Sequence, residues 1–146
     1  MTDVTDIKDR PKGCTCFRLR RTARRMTQIY DNHLAPSGLT LTQFSLLANV
    51  VRRDPPTMQE LARAMGMDRT TVTRNLKPLL SRGLLAIVPG NDRRIKCVAI
   101  TESGREMWRE ARILWCAAQN EIEVRLGEQE VAELHRQLDD SFARLA

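Results

Sequence analysis

Arg69, Thr70, Thr73, Arg74 and Lys77 fall on one side of a helical repeat, and Val72, Leu76, Leu79 and Leu80 fall on the other. The apolar set recurs at i, i+4, i+7 and i+8, the spacing of a stripe that faces a core. The first set is therefore turned outward, and it carries positive charge and hydroxyls with no carboxylate. A helix face that is merely solvated usually mixes both signs. A face of this composition suits double-stranded DNA, since arginine can bind guanine with two hydrogen bonds and threonine can meet a phosphate or a thymine methyl. A second positive point follows in "PGNDRRIKCVAIT", Pro89 to Thr101, where Arg93 and Arg94 stand beside a Pro-Gly-Asn-Asp turn signal. "LLAIV" before the turn and "IKCVAI" after it read as short strands, so the arginines occupy the tip of a hairpin. An arginine at such a tip can enter a narrow minor groove, where the negative potential is enhanced. Asp92, two residues before Arg94, is placed to brace its guanidinium.

The cysteines offer a different chemistry. Cys14 and Cys16 lie at or just before the start of a helical pattern, close to Arg18, Arg20 and Arg21. A helix N-terminus and neighbouring arginines both favour a thiolate, which makes these two thiols candidates for sensing an oxidant. A Cys-x-Cys pair can also hold a soft metal or metalloid ion. Two thiolates do not close such a site, and Cys116 is the candidate third ligand, supplied across a dimer. Cys97 falls in a strand of the hairpin and is expected to pack inside.

These residues need elements to position them. Leu19, Ala23, Met26 and Tyr30 give a helical repeat from Cys16 to about Leu34, which "APSG" breaks. Thr40 and Gln43 form a capping box for a helix that buries Phe44, Leu47, Ala48 and Val51. "RDPP" ends it. Thr57 and Glu60 form a second box, opening "MQELARAM", which Gly66 stops. Asp68 caps the helix that carries the basic face, and Gly83 closes it. The two helices are joined only by "GMD", the spacing of a helix-turn-helix, and the hairpin that follows makes the unit winged. Thr101 then caps a long helix to about Leu126, and after Gly127 a last helix carries Val131, Leu134, Leu138 and Phe142. On the long helix Met107, Ala111, Leu114, Trp115, Ala118 and Ile122 form an apolar stripe, read as a surface for a second copy of the chain. The fold class is mainly α with a small β-hairpin wing.

Charge along the 146 residues agrees with this division. Residues 52–105 carry eleven basic and five acidic side chains, whereas residues 106–146 carry five and nine. The middle is fitted to a polyanionic partner and the end is not. No apolar run approaches the roughly 20 residues that cross a bilayer, and the polar start "MTDVTDIKDRPKG" has no leader pattern. A cytoplasmic protein with reduced thiols and no membrane partner is expected. There is no glycine-rich phosphate loop, no paired-carboxylate constellation and no nucleophile with an evident histidine base, so no enzyme and no cofactor is expected. A winged-helix dimer that scaffolds DNA without any effector is the competing reading.

"MQELARAMGMDRTTVTRNLKPLLSRGLL" and "DRRIKCVAITESG" together resemble the MarR family of bacterial transcription regulators. The family's wing pattern, roughly D-x-R followed by a strand ending L-T-x-x-G, appears as Asp92, Arg94, Ile100, Thr101 and Gly104. Pro78, inside the recognition helix, departs from it by removing a hydrogen bond to the Arg74 carbonyl. The resemblance covers about Cys16 to Leu145. It implies a homodimer held by the first and the last two helices, and repression at a palindromic operator relieved by a small molecule or by oxidation. The chain then divides into a mobile N-terminal arm at 1–15, a helical dimerisation region at 16–38 and 101–146, and a winged helix-turn-helix DNA-binding lobe at 39–100. The resemblance also implies an effector pocket between lobe and dimer helices, for which Met26, Tyr30, Phe44 and Trp108 are candidates and a small aromatic compound the ligand. Cys16-Phe17 resembles the reactive Cys-Phe of the family's organic-hydroperoxide-sensing branch, although the tyrosine of that branch is replaced here by arginines.

Overall fold

A computed structural model describes residues 13–53 and 55–146. Six helices and one hairpin follow in the expected order: α1 Thr15–Leu34, α2 Leu41–Val51, α3 Met58–Met65, α4 Arg69–Ser81, β1 Leu85–Pro89, β2 Lys96–Ile100, α5 Glu102–Leu126 and α6 Glu128–Arg144. Most of the expected arm at 1–15 lies outside the described residues. Of its last three positions, Gly13 is a bend, Cys14 caps α1 and Thr15 is already helical.

The local chemistry of the caps sets the boundaries. Thr40 and Thr57 each accept from a backbone N–H three residues on, and Gln43 and Glu60 return the hydrogen bond. Asp68 accepts from the Thr71 N–H at 2.7 Å. These bonds satisfy donors that a helix start otherwise leaves open. Gly66 ends α3 with a φ of 62°, a left-handed conformation that costs other residues more. Pro78 does not stop α4, which runs on to Ser81.

The core gathers Leu34, Leu39 and Phe44 with Leu46, Leu47 and Val50 of α2, Leu61 of α3 and the α4 stripe Val72, Leu76 and Leu79. Leu46 and Val50 join the core although the periodicity does not mark them, and Val51 is only half-buried. The strands pair antiparallel with Leu85 opposite Ile100 and Pro89 opposite Lys96. The Val98 N–H donates to the Pro56 carbonyl at 2.9 Å, which anchors the wing to the start of α3. Thr101 joins wing to α4: its hydroxyl donates to the Gly83 carbonyl at 2.6 Å and accepts from the Gly104 N–H at 3.0 Å.

The α5 stripe is corrected by this packing. Ala111, Ala118 and Ile122 are buried, and Met107, Leu114 and Trp115 are half-buried. That face of α5 lies against α1 and α2 of the same chain. The apolar side chains left in water are others: Phe17 and Leu19 on α1, Ile113, Val124 and Leu126 on α5, Leu138 and Phe142 on α6, and Leu145 just beyond it. No single described helix is long and apolar enough to cross a membrane; Thr15–Ser37 with Leu41–Val51 passes only as a pair, bent by 75°.

Candidate nucleic-acid interface

The helix-turn-helix and the wing tip each present exposed basic side chains. Arg69, Thr70, Thr73, Arg74 and Lys77 are all exposed on α4, as are Asp92, Arg93 and Arg94 at the tip between β1 and β2. Burial of Val72, Leu76 and Leu79 on the opposite side holds the helix in this rotation. Among the described residues no ion pair engages any of these basic groups, so their charge is available to a partner.

Two roles assigned from sequence change. The Asp92 carboxylate does not reach a guanidinium: it accepts from the backbone N–H of Arg94 at 3.0 Å, and its carbonyl accepts from the Ile95 N–H at 2.9 Å. Asp92 therefore stiffens the turn through the backbone and leaves the Arg94 side chain unbraced. A short carboxylate finds the amide two residues on more readily than a distant guanidinium. The Thr73 hydroxyl donates to the Arg69 carbonyl at 2.9 Å, so in this state its proton is engaged within the helix.

Sequence reasoning passed over Gln59 and Arg63 of α3. They line a groove of about 490 Å3 with Met67 and Arg69, which extends the basic surface onto the first helix of the pair. The signal was Arg63 on the exposed side of α3, a few residues before the turn. The α3–α4 turn itself is held by the Met67 N–H, which donates to the Ala62 carbonyl at 2.9 Å. Asp68 caps α4 with its carboxyl held below the usual range, first by the Thr71 backbone N–H, then by the Thr71 side chain and the charge of Arg74.

The four residues read as an effector pocket are not gathered in one cavity. Phe44 is core, and both Phe44 and Tyr30 stack on Trp115, with ring centroids 5.9 and 6.2 Å apart. The Tyr30 hydroxyl donates to Gln119, and its pKa is raised by burial and by the Glu123 carboxylate. Trp108 is half-buried under Arg112, and its indole N–H has no hydrogen-bond partner among the described residues. Met26 lines a separate groove between α1 and α5. Trp115, which the sequence reading placed on the α5 stripe, is the ring that joins Tyr30 and Phe44.

Cys14, Cys16 and Cys116 are exposed, and Cys97 is buried in the wing as expected. The Cys14 sulfur accepts from the Phe17 N–H at 3.4 Å, so it forms the N-cap of α1. Among the described residues of one chain, no three ligating side chains come together to hold a metal ion. Cys116 is not brought to Cys14 and Cys16 within the chain.

A sequence model of the MarR family matches residues 37–95, the span from the start of the lobe to the wing tip. MosR, a transcriptional regulator of M. tuberculosis solved in complex with DNA, is 38% identical over 88% of this chain and 98% of its own, with a TM-score of 0.73. The transcriptional repressor CouR, solved on a 23-mer DNA duplex, is 25% identical over 87% of this chain and 91% of its own, with a TM-score of 0.79. MarR of E. coli shares the fold at 22% identity and a TM-score of 0.72, covering 90% of this chain and 98% of its own. A helix-turn-helix with a wing, matched along almost its whole length by such regulators, leaves one assignment: the chain belongs to the MarR family of winged-helix transcriptional regulators.

Proposed function

We propose that this protein is a homodimeric repressor that reads a palindromic operator and leaves it when a small molecule or a thiol-directed signal arrives. The observation that carries the reading is the exposed basic surface shared by α4 and the wing tip, with no described ion pair to neutralise it. In this reading α4 enters the major groove with Arg69, Thr70 and Arg74 toward base edges and phosphates, and the Thr73 methyl meets a thymine. Lys77, Arg63 and Gln59 take the flanking backbone. Arg93 and Arg94 reach the neighbouring minor groove from a turn that Asp92 stiffens. The exposed apolar residues of α1, α5 and α6 meet their equivalents in a second chain, so that two recognition helices face half-sites about one helical turn apart. The protein works in the cytoplasm, where its thiols stay reduced until challenged.

The signal enters through α1. Cys14 and Cys16 are exposed at its start, and the helix continues into the region that joins two chains. A bond or a bound soft ion at these sulfurs pulls on α1 and changes the distance between the recognition helices.

The DNA reading is tested by operator binding of Arg94→Ala and Arg74→Ala over a range of salt. Each should weaken binding strongly while the protein stays folded. Each should also flatten the slope of log affinity against log salt, by about one unit for every phosphate that the variant no longer neutralises. Wild-type affinity and slope in both variants would refute it. A footprint that is constant under oxidants, metals and aromatic ligands would leave an effector-independent DNA-binding dimer.

A further inference from the structure

We infer that Arg82, the residue that follows α4, is a positioning residue for DNA binding: it latches the end of the recognition helix to the corner where α1 turns into α2. Its Nη1 donates to the Gly38 carbonyl at 3.1 Å, across 44 positions of sequence. Arg82 is exposed, and no ion pair engages it among the described residues. The other described arginine of the lobe with a side-chain hydrogen bond, Arg53, only folds back on Asn49 of α2. Arg82 alone of the two reaches out of the lobe.

A latch positions something only if both of its ends are fixed, and both are. At the corner the Leu41 N–H donates to the Asp31 carboxylate at 2.7 Å. The Ser37 hydroxyl donates to the Leu34 carbonyl at 2.6 Å and accepts from the Leu39 N–H at 3.2 Å, and Leu34 and Leu39 are buried. At the end of α4 the Leu84 N–H donates to the Leu79 carbonyl at 3.0 Å, and both leucines are buried. The next link is one residue away, where the Gly83 carbonyl accepts from the Thr101 hydroxyl at the head of α5. Consecutive residues thus tie the recognition helix to α1 and to α5. The 13 residues of α4 span about 20 Å, so a small tilt at this end is a larger displacement of Arg69 at the other. A guanidinium suits the task, because its planar donors are held in a fixed fork. The inference rests on the DNA reading of α4 and adds how that helix is aimed.

The test compares the full-length wild type with Arg82→Met, which keeps a stem and loses donors and charge, and Arg82→Lys, which keeps a donor. The first measurement uses no DNA: amide hydrogen exchange at 34–41 and 79–84 should quicken in Arg82→Met and stay near wild type in Arg82→Lys. The second uses a duplex that the wild type selects from a random-sequence pool, and the same duplex with its centre lengthened by one or two base pairs. Arg82→Met should bind the selected duplex about fivefold more weakly. It should also discriminate less against the lengthened duplexes, because a loosely held helix follows a shifted half-site. Its slope of log affinity against log salt should equal that of wild type, since no phosphate contact is lost. Arg82→Lys should recover most of the affinity and of the spacing preference. A slope flattened by about one unit would make Arg82 a phosphate contact and overturn the proposal. Wild-type affinity and spacing preference in Arg82→Met would also overturn it, as would a lysine variant no better than methionine. If the wild type selects no duplex, the DNA reading itself fails. The exchange measurement still decides the latch, which unchanged rates at 34–41 in Arg82→Met would refute.

Discussion

Between Leu39 and Ile100 the large apolar side chains are nearly all enclosed by the chain itself, with Ile87 and Ile95 of the wing as exceptions. In α1, α5 and α6 the balance is reversed. Among the described residues α6 buries only Val131, while Val124 is 85% exposed and Ile113 is 74% exposed. A Val, Leu, Ile or Phe side chain left in water forgoes about 1.5–3 kcal/mol relative to burial. The lobe is therefore complete as a single chain, and the helical region is not. The difference separates two kinds of surface: charge on a lobe that encloses its own core, and apolar side chains left exposed on the helices around it.

The largest effect should come from breaking the joint that ties the two regions. Gly104 sits in the first turn of α5, directly against the end of the lobe. A Cβ there would lie 2.0 Å from the Leu84 carbonyl oxygen and 2.9 Å from Ile100 Cγ1. Backbone cannot give way as a side-chain tip can, so Gly104→Ala should cost about 3–5 kcal/mol or prevent folding. A melting temperature within a few degrees of wild type would show that α5 can tilt off the lobe. Leu76→Ala, which removes a side chain from the centre of the lobe, should cost about 2–5 kcal/mol.

Next in size is the contrast itself. Ile113→Glu and Val124→Glu should leave the lobe folded, with unchanged helical content, yet raise the dimer dissociation constant by about tenfold or more each. Operator affinity should fall with them, because two half-sites are no longer joined. Sedimentation that shows an unaltered dimer would mean that these side chains do not meet a second copy.

The lobe was legible in the sequence because its signals are local. Thr40, Thr57, Asp68 and Thr101 each cap a helix through a bond to a residue three positions on, and such a bond depends on nothing distant. The basic face of α4 followed from the position of Val72, Leu76 and Leu79 alone. The helical region was harder for the opposite reason. Periodicity showed that α5 has an apolar stripe, but not that α1 and α2 of the same chain cover it. Nor does periodicity report that Trp115 stacks on Phe44 and Tyr30, 71 and 85 positions away in sequence. Asp92 failed at short range, where a backbone amide two residues on competed with the guanidinium and won.

A smaller effect should separate the thiols. Peroxide should lower operator affinity several-fold in wild type and not in the Cys14→Ser, Cys16→Ser double variant, whereas Cys97, buried in the wing, should react slowly with a thiol probe. If the double variant responds as wild type does, sensing does not enter at the start of α1.

The smallest effect tests whether the lobe is held by its caps as well as by its core. Asp68 is exposed, and the Thr71 N–H, with the Thr71 side chain and Arg74, holds its carboxyl below the usual range. A carboxyl depressed in the folded state adds stability that is fully present above its unfolded value, about 3.9, and is lost as pH falls through the lower folded value. Asp68→Asn keeps a capping oxygen and removes the charge, so it isolates that contribution. Denaturant titration should show wild type more stable than Asp68→Asn by a constant amount above about pH 5–6. The gap should close as pH falls below about 4. Asp68→Ala should be weaker than both, because it loses the oxygen too. A gap between wild type and Asp68→Asn that stays constant to low pH would place the benefit of Asp68 in the shape of its side chain and not in its charge, and α4 would then be oriented by Val72, Leu76 and Leu79 with little help from its N-terminus.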